Sequence, residues 1–347
     1  MDHYRRRREE DERRTLSRHA LLCSASAGRD HAEPPDPLRT CFQVDRERIV
    51  HSKSFRRLKH KTQVFFSPQG DHFRTRLTHT LEVTAIARTI ASCLAVNEDL
   101  TEAIALGHDL GHTPFGHAGE KVLAQLCPGG FKHVQQSVRV VELLENDGAG
   151  LNLTREVRYG ILHHSKGKGA ILPPPSEADP GFLEAQIVRI SDVTAYLNHD
   201  LDDALRAGVL AESDLPAAIL EGLGSTNEHR RDRVIASILS ETTRHDDGVL
   251  RIEGRVLELL VDLRTFMFER VYEAERVHDA YTRAEKIIRD LYDYFLQRPV
   301  VLADYYDLTP ALPHAERVRD FIAGMTDTYI LQLYEKVFMP QRWSLLW

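Results

Sequence analysis

Residues 107–120 read GHDLGHTPFGHAGE, which places three histidines, an aspartate, a glutamate and four glycines within fourteen positions. Neutral imidazole is a ligand for transition metals, and its charge changes near neutral pH. The stretch therefore suggests a metal site, a proton relay, or both. Upstream, His79 heads THTLEVTAIARTIASCLAV, where steps of four, three, four and four lead to Val83, Ile86, Ile90 and Leu94. That spacing puts His79 on the buried face of a helix. Downstream, Ala185, Val188, Asp192 and Tyr196 share one helical face of QIVRISDVTAYLNHD. A buried aspartate on such a stripe needs a cation or a hydrogen-bond network. His79, His108, Asp109 and Asp192 make two imidazoles and two carboxylates, a set that suits an octahedral divalent ion with positions left for water or phosphate oxygen. On spacing alone, core side chains satisfied by hydrogen bonds remain the alternative. Reading HDLGH (108–112) as a form of the zinc-protease helix HExxH fails, because Asp109 is shorter than the required glutamate and Gly111 and Pro114 oppose a long helix.

The elements that must position these groups are helical. Apolar residues recur at helical spacing over most of the chain, and TQVFF (62–66) is the one short strand candidate. The fold class is all-α. Asp99, with Glu102 three residues on, is expected to cap the helix that ends at His108 and Asp109. Thr113 before Pro114 is expected to open the next helix. His117 then lies in its first turns and shares a face with Glu120, three residues later. Irregular connections are expected at 26–37 and 165–181, both rich in helix breakers.

Composition narrows the class. A chain of 347 residues with 42% hydrophobic content can bury a large core, and no stretch approaches the length of a membrane helix. A cytoplasmic location without membrane attachment is expected. Cys23, Cys41, Cys93 and Cys127 are too scattered for a finger or redox motif and read as reduced. Net charge is -7, yet residues 45–76 hold nine Lys or Arg against three acids, a density that fits a phosphate-bearing ligand. The N-terminal RRRREEDERR reads as a solvated helix.

The motifs DRERIVHSKSFRRLKHKTQVF, GDHFRTRLTHTLEV, GHDLGHTPFGHAGE, FKHVQQSVRVVE and LRTFMFERVY resemble the deoxyguanosine triphosphate triphosphohydrolase branch of the HD-domain phosphohydrolases, over roughly residues 40–275. The resemblance implies an HD-domain helical fold: an N-terminal extension, partly flexible, over 1–39, and a single phosphohydrolase core with a C-terminal helical region over 40–347. It implies hydrolysis of a deoxynucleoside triphosphate (dNTP) to the deoxynucleoside and intact triphosphate, with attack at the α-phosphorus. His79, His108, Asp109 and Asp192 would bind Mn2+ or Mg2+, or else Co2+, Ni2+ or Fe2+. His117 and Glu120 correspond to the catalytic pair. Arg76 and His112 resemble α-phosphate contacts, and His133, Tyr196 and Arg264 further triphosphate contacts. Gln63 and Asp200 match groups that hold the sugar 3′-hydroxyl, and Tyr272 resembles the ring packed on the deoxyribose. The chain departs from the family where Val193 replaces a second aspartate and Val134 a common asparagine.

Family resemblance also implies a homo-oligomer, a tetramer or hexamer. Two other readings compete. One is a nucleotide sensor or single-stranded nucleic-acid binder built on the basic 45–76 segment with a weak HD site. The other is an HD-domain nucleotidase or alarmone hydrolase.

Overall fold

The computed structural model describes residues 3–63, 74–165, 169–172, 181–306 and 312–340. Among these the chain forms sixteen α-helices, joined by short 3-10 and π turns, and one isolated antiparallel bridge between Thr62 and Thr75. The all-α class is therefore observed. Residues 64–66 of the strand candidate, and most of the 165–181 connection, lie outside the described residues.

Local chemistry explains where the key helices begin. The Arg76–Cys93 helix follows Thr75, whose amide donates to the Thr78 hydroxyl at 3.0 Å in a reciprocal cap. Its Val83, Ile86 and Ile90 are buried, as the spacing requires. The Glu98–Gly107 helix is capped by Asn97, whose side-chain oxygen accepts from the Leu100 amide at 3.1 Å, with Glu98 and Asp99 in the first turn. The sequence-based choice of Asp99 as cap is thus two residues late: Asp99 faces the positive end of the helix and pairs with Arg46 at 2.8 Å.

The next helix also starts later than Thr113 and Pro114 suggest. It spans Gly116–Leu126 and is preceded by Phe115 in a left-handed conformation, φ 59°. Thr113 stays in the loop and donates to the Gly116 carbonyl at 2.8 Å. Left-handed backbone costs a residue with a Cβ about 1–2 kcal/mol. The Phe115 ring offsets this by packing, only 5% exposed, in a hydrophobic cluster.

Two such clusters organise the molecule. The larger gathers buried residues of the Cys41–Val50, Arg76–Cys93, Glu98–Gly107, Arg155–His163, Leu183–Arg206, Asn227–His245 and Gly254–Met267 helices. The smaller joins Ala118, Val122 and Leu123 of Gly116–Leu126 to the C-terminal helices Glu275–Leu296, His314–Ala323 and Asp327–Phe338. Residues 108–115 link the two. Gly111 crosses so close to the His133–Arg139 helix that a Cβ there would lie 2.1 Å from the Ser137 amide nitrogen. No described helix is long and apolar enough to cross a membrane.

Candidate active site

Four donors from three elements converge where the Arg76–Cys93 and Leu183–Arg206 helices meet the end of Glu98–Gly107. His79 and Asp192 belong to the first two helices, and His108 and Asp109 sit in the turn after the third. His79 Nε2 stands 3.1 Å from Asp192 Oδ1 and 3.3 Å from His108 Nε2. His108 Nε2 is 3.7 Å from Asp109 Oδ1 and 3.9 Å from Asp192 Oδ1. Neighbouring ligand atoms around a small octahedral cation lie about 3 Å apart; the His79 contacts match that spacing and the His108–carboxylate contacts are wider, with His79, His108 and Asp109 in one group able to hold a metal and His108, His164 and Asp192 in an overlapping one. His108 and Asp109 are at most 4% exposed, and Asp192 is partly so.

The ring orientations have causes. His108 Nδ1 faces the Ala105 carbonyl at 2.6 Å, which sets the proton on Nδ1 and leaves Nε2 for the cluster. His79 Nδ1 faces His199 Nε2 at 2.8 Å. Asp109 Oδ2 accepts from the buried Arg76 guanidinium at 2.6 Å. Burial would raise the Asp109 pKa, but the facing His108 and Arg76 charges hold it well below the usual carboxylate range. Burial likewise opposes ionisation of Asp192, and His79 and His108 overcome it, leaving a pKa of about 2.

Beside the donors lies a second group. Glu120 accepts from the His133 amide at 2.8 Å, approaches His133 Nδ1 at 2.9 Å and stands 3.4 Å from His117 Nδ1. The carboxylate thus serves two imidazoles, and its tighter contacts go to His133. Burial works against the Glu120 charge, yet the bonds from His117 and His133 carry its pKa far below normal. Burial also pulls His133 down, and the Glu120 bond more than reverses it, so the two partners shift in agreement. His112 stacks on His133 with centroids 4.7 Å apart. Burial, reinforced by Arg76, keeps His112 neutral, its pKa held well below the usual value.

A third group extends along the face of Leu183–Arg206 that bears Asp192. Tyr196 and Asp200 continue that stripe, and the Tyr272 hydroxyl donates to Asp200 Oδ2 at 2.7 Å. Tyr272 ends a π turn, Phe268–Tyr272, and the Phe268 ring meets it edge-on at 5.1 Å. Arg264, one turn earlier, is half-buried and donates to the Gly169 carbonyl at 2.9 Å. Its charge acts on the Tyr196 hydroxyl of the same stripe. Gln63 adjoins Arg76 through the Gly116 crossing, where a Cβ would lie 3.0 Å from the Arg76 guanidinium and 3.1 Å from the Gln63 carbonyl. The Gln63 amide oxygen, Arg76 Nε and His112 Nδ1 are buried without a hydrogen-bond partner among the described residues. Such orphaned atoms suit a polar ligand.

Four contributors escaped the sequence reading. His164, from the doublet in LHHS, places its ring 4.9 Å from that of His108 and its Nε2 3.3 Å from that of His133. His199 backs His79. Asp327, at the start of the last helix, accepts from the Thr62 amide at 2.9 Å, the Thr62 hydroxyl at 2.7 Å and the Phe115 amide at 2.9 Å. Lys61, 2% exposed, donates to the carbonyls of His112 and Ala323. Only the histidines carried a signal, as imidazoles at helix positions beside known motifs. The basic 45–76 segment is largely spoken for: Arg46, Arg48, Lys53, Arg74 and Arg76 all pair with acids of the same chain. Arg56, Arg57 and Lys59 remain exposed.

Comparison with known proteins agrees with this architecture. An HD domain model matches residues 76–197, and a phosphohydrolase-associated domain model matches residues 250–336. A deoxyguanosinetriphosphate triphosphohydrolase-like protein from Caldanaerobacter subterraneus subsp. tengcongensis is 48% identical over 96% of each chain. Proteins of the same description are 47% identical in Desulfatibacillum aliphaticivorans, over 94% of this chain and 95% of the relative, and 39% identical in Bordetella pertussis, over 93% and 96%. A solved structure of a hypothetical protein from Aquifex aeolicus superposes with a TM-score of 0.49 at 20% identity, covering 85% of this chain and 71% of that one. With near-complete coverage at such identity, and an HD domain where the four donors lie, the chain belongs to the deoxyguanosinetriphosphate triphosphohydrolase-like family of HD-domain phosphohydrolases.

Proposed function

We propose that the protein hydrolyses a dNTP to the deoxynucleoside and intact triphosphate. The observation that carries the reading is an adjacency: the metal-type donors meet an imidazole group suited to phosphate oxygens through His108 and His164, and the Asp200–Tyr272 pair suited to a sugar through His79 and His199. The β- and γ-phosphates and the deoxyribose flank the α-phosphorus in the same order. His79, His108, Asp109 and Asp192 would hold Mn2+, Mg2+ or a similar ion, which supplies Lewis acidity toward the α-phosphate and makes water easier to deprotonate.

The chain's own residues supply the rest. Arg76, buried and aligned by Asp109, offers a fixed cation to the α-phosphate region, with His112 beside it as a neutral imidazole. Water oxygen bonds to the α-phosphorus and gives up a proton, the bond to the 5′-oxygen breaks, and that oxygen takes a proton. His117, held at Glu120 and open to solvent, is placed to move that proton. His133, drawn toward its charged form by Glu120, adds positive character where triphosphate charge collects. Asp200 accepts from a sugar hydroxyl, and the Tyr272 ring limits space near C2′.

The test is chromatography of products after incubation with each dNTP and Mn2+, with GTP as the ribonucleotide control. Release of triphosphate with poor turnover of GTP is expected. Orthophosphate from monophosphates, or pyrophosphate as the product, would replace this reading with that of another HD-domain nucleotidase.

A further inference from the structure

His199 is the next polar residue after Tyr196 on the helix stripe that carries Asp192, and it is fully buried. Nothing in the chemistry proposed above uses it. Its Nε2 lies 2.8 Å from His79 Nδ1, and its Nδ1 lies 2.8 Å from Asp200 Oδ1. Asp200 Oδ2 in turn receives the Tyr272 hydroxyl at 2.7 Å. One imidazole therefore spans the gap between a donor of the metal-type cluster and the carboxylate assigned to the sugar.

Proton bookkeeping gives this chain a direction. His79 turns Nε2 toward Asp192 and His108, so with that nitrogen engaged by a cation its ring proton belongs on Nδ1. Nδ1–H then donates to His199 Nε2, which must be bare. The His199 proton is left on Nδ1, beside the Asp200 carboxylate. The two atoms approach to 2.8 Å, but the angle between these chain neighbours does not make a hydrogen bond, and neither His199 Nδ1 nor Asp200 Oδ1 has a hydrogen-bond partner among the described residues. A carboxylate oxygen this close to a buried ring nitrogen still favours the tautomer that carries a proton there over the one that presents a lone pair to it. The opposite tautomer of His199 would set two N–H groups against one another at His79 and present a lone pair to the Asp200 carboxylate.

His108 provides the contrast within the same cluster. Its Nδ1 is fixed by the Ala105 carbonyl, one turn back on its own chain. That is a local anchor which carries nothing further. His79 is anchored by a side chain whose other end touches the proposed sugar site.

We propose that His199 is a positioning residue that fixes the His79 tautomer and the Asp200 carboxylate together, coupling the metal cradle to sugar recognition. The sugar end of this relay rests on the function proposed above, whereas the metal end does not. Loss of such outer partners typically weakens metal affinity about 10–100-fold.

The decisive measurement is calorimetric titration of the chelator-treated full-length protein with Mn2+, alongside circular dichroism. His199→Phe fills the space but removes the hydrogen bond to His79 and the polar contact with Asp200, and a 10–100-fold weaker Mn2+ affinity is expected with helical content unchanged. His199→Gln keeps one acceptor and one donor and should recover most of the loss. Parent-like affinity in His199→Phe overturns the relay, and so does equal weakening in the phenylalanine and glutamine variants, which would mark a packing role. If His199→Phe does not fold, Asp200→Leu decides. It removes the carboxylate that sets the His199 tautomer, without touching the cluster itself, and parent-like Mn2+ affinity there overturns the proposal. A parent protein that binds Mn2+ but releases no triphosphate would remove the proposed function while leaving this titration fully readable.

Discussion

The donor cluster and the His117–Glu120 pair stand side by side but are built differently. The cluster's histidines and Asp109 are at most 4% exposed, its imidazoles are locked by Ala105 and His199, and its helices belong to the larger hydrophobic core. The His117 side chain is 73% exposed, meets Glu120 at 3.4 Å, and rides on a helix packed in the smaller, C-terminal core. A metal cradle gains from rigidity, because ligand geometry must exist before the ion arrives. A proton donor must reach a leaving group and solvent, so openness suits it. What the open pair needs is placement of its whole helix, and the C-terminal segment provides that through Asp327 and Lys61.

The contrast can be broken from either side. The largest effect is expected from His108→Ala or Asp109→Ala: metal content by mass spectrometry should fall to background, with circular dichroism close to that of the parent, since the ligands line an apolar core that they do not build. Full metal occupancy in both variants would end the cradle reading.

Next in size, His117→Ala should lower turnover by about two to four orders of magnitude, the usual range for a lost general acid or base, with metal content unchanged. Near-normal turnover would assign His117 to the surface alone.

Asp327→Ala separates the regions most directly. It removes the acceptor of the Thr62 amide and hydroxyl and of the Phe115 amide, a cost of about 1–3 kcal/mol for a donor left buried and unsatisfied, and lets the left-handed turn at Phe115 relax. Turnover should fall by up to about a hundredfold, as small misplacements do, while Mn2+ affinity stays that of the parent. A matching loss of Mn2+ affinity would show that the two regions are one mechanical unit.

The smallest effect concerns pH. Burial, with the Arg57 charge adding to it, depresses the Lys61 pKa from 10.5 to about 7. Between these values the unfolded chain binds a proton that the folded chain does not, so this residue's contribution grows as pH rises and is lost as pH falls toward 7. The parent's denaturation midpoint should therefore climb more steeply than that of Lys61→Met between pH 7 and 9.5. Equal slopes would mean that the lysine is charged in the fold. A neutral amine has two N–H groups, which match the His112 and Ala323 carbonyls that it meets.

Much of the arrangement was legible in the residues themselves. The helical class, the buried face running from His79 through Ile90, the face shared by His117 and Glu120, and the stripe from Asp192 to Tyr196 all follow from 3.6-residue periodicity, which local backbone geometry fixes. Helix starts were read less well. Asn97 and Phe115 displaced Asp99 and Thr113, because a cap depends on where the preceding chain enters, and that is set by packing. The division of Glu120 between two histidines was not readable either. His133 reaches the carboxylate from thirteen residues away, across a loop whose path no periodicity encodes.

The sequence by itself determined the helices, the donor types on each face, and the family to which the chain belongs, since each depends on residues near one another along the chain or on extended similarity. Only the tertiary structure decided which faces meet. His79 finds His199 across 120 residues, Phe115 is held by Asp327 across 212, and Lys61 reaches Ala323 across 262. Such contacts exist because two cores bury their apolar surfaces in one relative arrangement, a global outcome of burial and close packing that no local stretch of sequence specifies.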